Sequence, residues 1–366
     1  MVSKVRRGMS IRQAALHFGV AVSTVLFWVK RAGQQRLDRV RWSDHSVHHT
    51  AVNRVTKSVE QCVLDLRKEL KEQSDLGEFG ADAIRHEMDT RGCKVLLSRA
   101  TINRVLQRNG MLDGKHRKRI TPPPKGWYLP NNEEQTAELD QFDYIKECYL
   151  KGGQVVHILN GISLYSGLVY SKPVLRMTAE NTVQGMMEHW REVGVPEYVQ
   201  FDKGTVFHGL NHPDSIGSVS KLCLSLGVIP IFVPPREFGF QAAVESYNGR
   251  WERAVWNRFT FKNIKEIQTQ SDLYVHAVKE KIETKTRLAA ERKMINKNWK
   301  FNNKTEKNGT IIFLRRTDDN GCAKVMGHLW ELDKNWTHRL IRATVDLKNN
   351  IILFHKLRRK DPHHHT

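Results

Sequence analysis

Three acidic residues stand in contexts that read as one metal site: Asp143 in Gln-Phe-Asp-Tyr, Asp202 in Gln-Phe-Asp-Lys-Gly, and Glu245 in Ala-Val-Glu-Ser-Tyr-Asn-Gly. The aspartates lie near the middle and at the end of short apolar runs with strand character, and the glutamate opens a helical stretch. Carboxylates converging from two strands and a helix can hold two Mg²⁺ ions, because hard oxygen ligands suit that cation. A two-metal clamp stabilises both the attacking and the leaving oxygen of a phosphodiester displacement, the chemistry of cutting and joining DNA strands. The expected catalytic and metal-binding set is therefore Asp143, Asp202 and Glu245, with Mg²⁺ as cofactor and Mn²⁺ as its substitute.

Charge points the same way. The 366 residues carry a formal +20, unevenly spread. Residues 1–126 hold 25 Lys/Arg against 12 Asp/Glu, residues 127–260 hold 11 against 15, and residues 261–366 hold 23 against 12. An acidic middle between two basic flanks suits a metal-binding core with polyanion-binding arms. No run of about 18 apolar residues is present, so no membrane partner is expected. The N-terminus lacks an apolar signal core, which fits a cytoplasmic protein. The five cysteines, at 62, 93, 148, 223 and 322, form no Cys-x-x-Cys pair, so a disulfide framework or cysteine-rich zinc site is not expected.

The elements that would carry the arms can be read in turn. Ala14, Ala15 and Phe18 mark a short amphipathic helix, and Gly19 supplies a tight turn. Ser23 is a candidate cap for the next helix, whose Val25, Leu26 and Val29 face inward. This helix-turn-helix pattern places Ser23, Thr24, Phe27 and Lys30 on the DNA side. A second such unit follows over 51–120, with helices over 58–73 and 81–89 and a third capped by Ser98. Arg99, Asn103 and Arg104 would face DNA there. Lys115, Arg117, Lys118 and Arg119 form a charge run suited to phosphates. The Pro-rich stretch from Thr121 opens a linker over 121–135.

From 137 the pattern changes to strands: 137–147, 154–159 and 167–174. A helix follows from a Thr178 cap, then a strand over 197–202, a helix over 214–226, a strand over 228–233 and a helix over 241–258. This order is that of a ribonuclease H-like fold, and ligands of such sheets gather at strand ends.

Here the chain resembles bacterial insertion-sequence transposases with an integrase-type DDE core, related to retroviral integrases. Gln141-Phe-Asp143 followed by Tyr149-Leu-Lys-Gly152 resembles the first-aspartate strand and hairpin of that group. Asp202-Lys-Gly-Thr-Val-Phe207 resembles the second-aspartate motif, and Val244-Glu245 with Asn248 resembles the third. Lys203 departs from the usual Asn. The interval from Asp202 to Glu245 is also long, which implies enlarged loops around 208–215 and 234–240. Asp140 competes with Asp143 for the first position; three residues apart on one strand, they point to opposite faces. The hairpin phase favours Asp143, so Asp140→Asn is expected to be mild.

Residues 264–296 read as helical. Four short strands, at 310–316, 323–326, 340–345 and 351–354, suggest a small β-barrel. Its exposed Arg315, Arg316, Arg339 and Arg342 would bind phosphates. The expected class is thus an α/β multidomain chain. Helix-turn-helix units span 1–50 and 51–120, and the catalytic core spans 136–262. A helical linker covers 263–305 and a barrel covers 306–360. The resemblance implies a transposase that binds terminal inverted repeats, cleaves strands and joins 3′-hydroxyl ends to target DNA. It also implies a bacterial, nucleoid-associated homodimer or higher oligomer on DNA. Two alternatives are a DNA-binding regulator with an idle core and a structure-selective nuclease.

Overall fold

A computed structural model describes residues 1–43, 55–112, 126–129, 137–202, 205–208, 215–234, 237, 239–283, 291–304 and 308–358. Lys115, Arg117, Lys118 and Arg119 fall outside these residues, as do 209–214 and 235, 236 and 238 in the loops expected around 208–215 and 234–240. The chain divides into two compact units, Met1–Thr56 and Lys57–Thr366.

The first unit holds α1 (Val2–Arg6), α2 (Ile11–Phe18) and α3 (Val22–Ala32). Ser10 and Gln13 form a capping box at the start of α2, and Gly19 ends it in the left-handed conformation at φ 62°. The axes of α2 and α3 are bent by 116°. Two expectations need correction. Ala21, not Ser23, precedes α3, and Ser23 lies inside the helix. Phe18 and Leu26 are exposed, because the small Ala14 and Ala15 let the helices close around Val25 and leave larger side chains outside.

The second unit opens with α4 (Lys57–Gln73), α5 (Ala81–Thr90) and α6 (Arg99–Arg108). Val63, Leu66, Ile84, Met88, Ile102, Val105 and Leu106 are buried among them. Ser98 caps α6 by accepting from the Thr101 N–H. This trio seats on the core through a turn at Gly77. Its φ is +60°, and a Cβ there would lie 2.8 Å from the Ala254 Cα. The Arg258 guanidinium donates to the carbonyls of Glu72 and Ser74, and Lys281 pairs with Glu78.

The core sheet begins with the antiparallel strands β1 (Leu139–Tyr149), β2 (Val155–Ser163) and β3 (Val169–Val174). After α7 (Ala179–Val193), β4 (Tyr198–Phe201) pairs parallel to β1. The short α8 (Thr205–His208) and α9 (Ser218–Ser225) lead to β5 (Ile229–Phe232), parallel to β4. Then α10 (Ala242–Trp251) runs into a π-helical turn, Glu252–Trp256, and α11 spans Ile264–Glu283. Helices α7 and α9 cover one sheet face with Met186, Trp190 and Leu222 against Phe142 and Leu159. Helices α10 and α11 cover the other with Val244, Trp251 and Tyr274 against Ile145, Val156 and Ile158. Gly161 lies opposite Phe142 in the ladder, where a Cβ would meet the ring at 2.5 Å.

The C-terminal strands are β6 (Thr310–Arg316), β7 (Cys322–Val325), β8 (His328–Glu331), β9 (Leu340–Asp346) and β10 (Ile351–Lys356). They do not form a separate barrel among the described residues. Strand β6 pairs parallel to β5, and the sheet runs β10-β9-β6-β5-β4-β1-β2-β3; β7 and β8 form a two-stranded ladder of their own. The reason lies in β6, where Ile311 to Leu314 are all buried. A strand apolar on both faces must be covered on both sides. Phe313 stacks on Phe232 at 5.3 Å in the same cluster as Phe142.

Two other expectations change. Helix α11 is described over Ile264–Glu283, and residues 291–304 form an extended strap where a helix was expected to 296. Lys293 bridges to Val195 there, and Trp299 and Phe301 pack against the core. Within the expected linker, Trp127, Tyr128 and Leu129 are buried beside Leu139 and Ile231. Aromatic residues with a core within reach are not left as linker.

Candidate active site

Alternation along β1 sorts its side chains. Asp140, Phe142 and Tyr144 face α7, while Gln141, Asp143 and Ile145 face α10. Asp140 is fully buried. Its carboxylate accepts from the Trp190 Nε1 at 2.9 Å, the Ser163 hydroxyl at 2.7 Å and the Arg292 Nη2 at 2.6 Å. It is a structural anion that ties the strap to β1. The expectation that Asp140→Asn is mild is therefore corrected: the face is the other one, as read, but the change would strand a buried guanidinium.

Asp143 is half-buried and accepts from the Asn248 side-chain amide at 2.9 Å. Strand β4 runs parallel beside β1 with Gln141 opposite Gln200. Asp143 and Asp202 each lie two residues further on, so the register places them together where β4 ends. Burial pushes the Asp143 carboxyl above its ordinary range, and the negative charge of Asp202 adds to this. Hydrogen bonds from the Tyr144 N–H and from Asn248, and the charge of Lys146, oppose the rise. Glu245 lies in the first turn of α10 and is exposed. It stands three residues before Asn248, hence on the same helix face.

Two carboxylates held close in a half-buried setting, with a third one turn from the amide that donates to Asp143, fit a hard divalent cation in donor type. Among the described residues, no three His, Cys, Asp or Glu side chains lie close enough to share one ion. In this arrangement Asp143 and Asp202 lie together, and Glu245 does not join them in a three-carboxylate cluster.

Sequence reasoning missed the side chains that tie α10 to the two strands. The Gln141 and Gln200 amides each donate to the Phe240 carbonyl at 2.7 Å. The Gln141 carbonyl also accepts from the Val244 N–H at 3.2 Å, in the first turn of α10. Phe240 packs against Trp127 and Tyr128. The signal was present in the sequence: the tripeptide Gln-Phe-Asp occurs at 141–143 and again at 200–202. Both phenylalanines are fully buried in one cluster, and both glutamines turn to the opposite face with the aspartates.

No family model matches the chain, and no curated protein matches it. Among solved structures, it is similar to the HTLV-2 integrase catalytic core domain in complex with magnesium, dimeric form. Identity there is 16% over 45% of this chain and 86% of that one, with a TM-score of 0.27. For the BIV integrase catalytic core domain the values are 17%, 38%, 81% and 0.29. For the simian T-cell lymphotropic virus intasome in complex with PP2A regulatory subunit B56 gamma they are 13%, 75%, 91% and 0.33.

The residues expected to meet DNA divide by exposure. On α3, Ser23, Phe27 and Lys30 are exposed along one stripe, with Thr24 half-buried beside them. On α6, Arg104 and Arg99 are exposed, Arg99 in a loose pair with Asp82 at 3.5 Å, while Asn103 is half-buried. Arg316 and Arg339 are exposed. Arg315 and Arg342 are not, and their reading as exposed phosphate ligands is corrected. The Arg315 guanidinium donates to the carbonyls of Phe232, Leu314 and Lys324, and burial pulls its pKa down to about 10. Arg342 is 5% exposed and donates to the Tyr128 carbonyl. Both lie on strands of the extended sheet, where a barrel surface had been expected. Among the described residues, no single helix is long and apolar enough to cross a membrane.

Proposed function

We propose that this chain is a DNA transposase with a carboxylate-based phosphoryl-transfer site. One observation carries the reading: parallel register brings Asp143, within β1, beside Asp202, just past the end of β4, and Asn248 of α10 bonds Asp143 one turn from Glu245. Asp143 and Asp202 would hold divalent metal, Mg²⁺ or Mn²⁺, and Glu245 would complete the set. Such ions, when bound, supply charge stabilisation at the attacking and leaving oxygens. The chain's own part is positional. The two glutamines keep the start of α10 against β1 and β4, and Asn248 orients one carboxylate. No covalent enzyme intermediate is required, so no Ser or Tyr nucleophile is assigned.

The helices α3 and α6 present polar and basic side chains suited to a major groove, so the terminal repeats would be read there. Arg316 and Arg339 would meet phosphates. Joining two ends together calls for at least a dimer on DNA. The bacterial, nucleoid-associated setting belongs to the same proposal. A regulator with an idle core remains the second reading, favoured by the exposed position of Glu245 outside the aspartate pair.

Strand joining from a pre-cut end separates the readings. Asp143→Asn, Asp202→Asn and Glu245→Gln should each lose about 10²-fold or more, the scale of removing one transition-state charge stabiliser, while binding of the same DNA persists. Normal joining by all three variants removes the transposase reading. Absence of joining by the wild type with Mg²⁺ and Mn²⁺ favours the regulator, and cleavage without joining favours a nuclease.

A further inference from the structure

On the sheet face beneath α10, one polar row crosses three strands beside the Gln141–Gln200 pair. Asp143 on β1 lies opposite Asn160 on β2, and Asn160 lies opposite Ser171 on β3. Asn160 is fully buried and Ser171 nearly so. Buried polar groups are costly unless each hydrogen bond is made. Here they are made in one direction. The Asn248 amide donates to the Asp143 Oδ2 at 2.9 Å. That leaves the Asn248 Oδ1 to accept from the Asn160 Nδ2, at 2.8 Å. The Asn160 Oδ1 then accepts from the Ser171 hydroxyl at 2.7 Å. With its proton so used, the Ser171 oxygen accepts from the Tyr247 hydroxyl, also at 2.7 Å.

The chain of bonds starts and ends on α10, since Tyr247 and Asn248 are neighbours there. Tyr247 is held in turn by stacking on Tyr274 and by the Arg250 guanidinium over its ring. A carboxylate can only accept, so it sets the polarity of every bond behind it. An amide turned over would present its oxygen to Asp143 and repel it, and it would keep its other partner only if every bond of the row reversed with it. We propose that Asn160, Ser171 and Tyr247 are positioning residues that hold the Asn248 amide as a donor, and thereby orient Asp143 for a divalent cation.

This inference rests on the carboxylate reading above, and a binding measurement separates the two. The probe is Mn²⁺ alone, titrated into the full chain and followed by water-proton relaxation, with the thermal unfolding midpoint recorded for each variant. Asn160→Leu keeps the volume and removes both amide groups. It should weaken Mn²⁺ binding about 10-fold or more, within the range for groups that orient a metal ligand. Ser171→Ala should weaken it less, and Ser171→Thr, which keeps the hydroxyl, should restore it. A purely structural role would move the unfolding midpoint and leave Mn²⁺ affinity of the folded protein unchanged. Wild-type affinity in folded Asn160→Leu overturns the proposal. If that variant does not fold, Ser171→Ala is read by the same criterion against Ser171→Thr. If wild type and Asp143→Asn bind Mn²⁺ equally, the carboxylate site itself falls and the relay with it.

Discussion

Gln141 and Gln200 face each other across parallel strands and donate to the same carbonyl oxygen, that of Phe240, at 2.7 Å each. Each stands two residues before a candidate-site aspartate, so the two strands and the helix start are joined at one atom. The two are not equivalent. Gln141 also accepts from the Val244 N–H, whereas the Gln200 side-chain oxygen is buried without a partner among the described residues. Gln141→Leu removes two bonds and leaves a buried N–H unmatched, at about 1–3 kcal/mol. Gln200→Leu removes one bond and a group already unsatisfied, so it should cost less. Denaturant midpoints of the two variants test this order; a larger loss in Gln200→Leu would show that Phe240 is not the shared anchor.

Asp140 and Arg292 form a buried ion pair at 2.6 Å between β1 and the strap. Breaking such a pair from one side costs about 3–5 kcal/mol, because the remaining charge stays buried. Asp140→Asn should therefore be strongly destabilising in equilibrium unfolding. Asp140→Leu combined with Arg292→Met removes both charges and should recover part of the loss. A double variant worse than either single one would mean that the pair contributes attraction beyond its own desolvation.

The elements of the candidate site were legible because each carries a local signal. Strands β1 to β5 and helices α7, α9 and α10 have clear periodicity, and the phase of β1 follows from Asp143 and Asp140 lying three apart. What was not legible depends on partners far along the chain. Nothing local tells that Ile312 will pair beside Ile231, or that Arg292 will meet Asp140 from 152 positions away. Arg315 and Arg342 looked like surface charges for the same reason: their strands became interior only when β6 joined β5. Strand β8 was missed because all four of its residues are exposed and show no alternation.

His189 on α7 is buried with neither ring nitrogen hydrogen-bonded among the described residues. Burial lowers its pKa from 6.5 to about 4; the Asp140 charge opposes this and that of Arg292 reinforces it. The unfolded chain thus binds a proton between about pH 6.5 and 4 that the folded chain does not. The stability that neutral His189 contributes is present above pH 6.5 and is lost as pH falls towards 4. His189→Phe should flatten that part of the stability profile. Asp143 works with the opposite sign, since its raised pKa favours the folded state only at acid pH. An unchanged profile in His189→Phe would assign the acid sensitivity to other groups.

Salt dependence can separate surface cations from structural ones. Each phosphate neutralised by a Lys or Arg contributes about 0.9 to the slope of log affinity against log salt. Arg339 is exposed, so Arg339→Gln should lower the slope by about 0.9 and leave stability unchanged, provided it meets DNA. Arg316 pairs with Glu237 at the surface. Such a pair is worth little, so exchange of Glu237 for a phosphate costs little, and Arg316→Gln should behave like Arg339→Gln. Arg315→Gln and Arg342→Gln should act differently. Each would leave buried carbonyls without their donor, shifting the unfolding midpoint before any effect on the slope. Duplex binding measured between about 50 and 200 mM salt, with unfolding recorded in parallel, checks all four. A slope change for Arg342→Gln at unaltered stability would return that residue to the DNA surface. A flat response from Arg316→Gln and Arg339→Gln together would place the phosphate contacts of this chain on its helical elements.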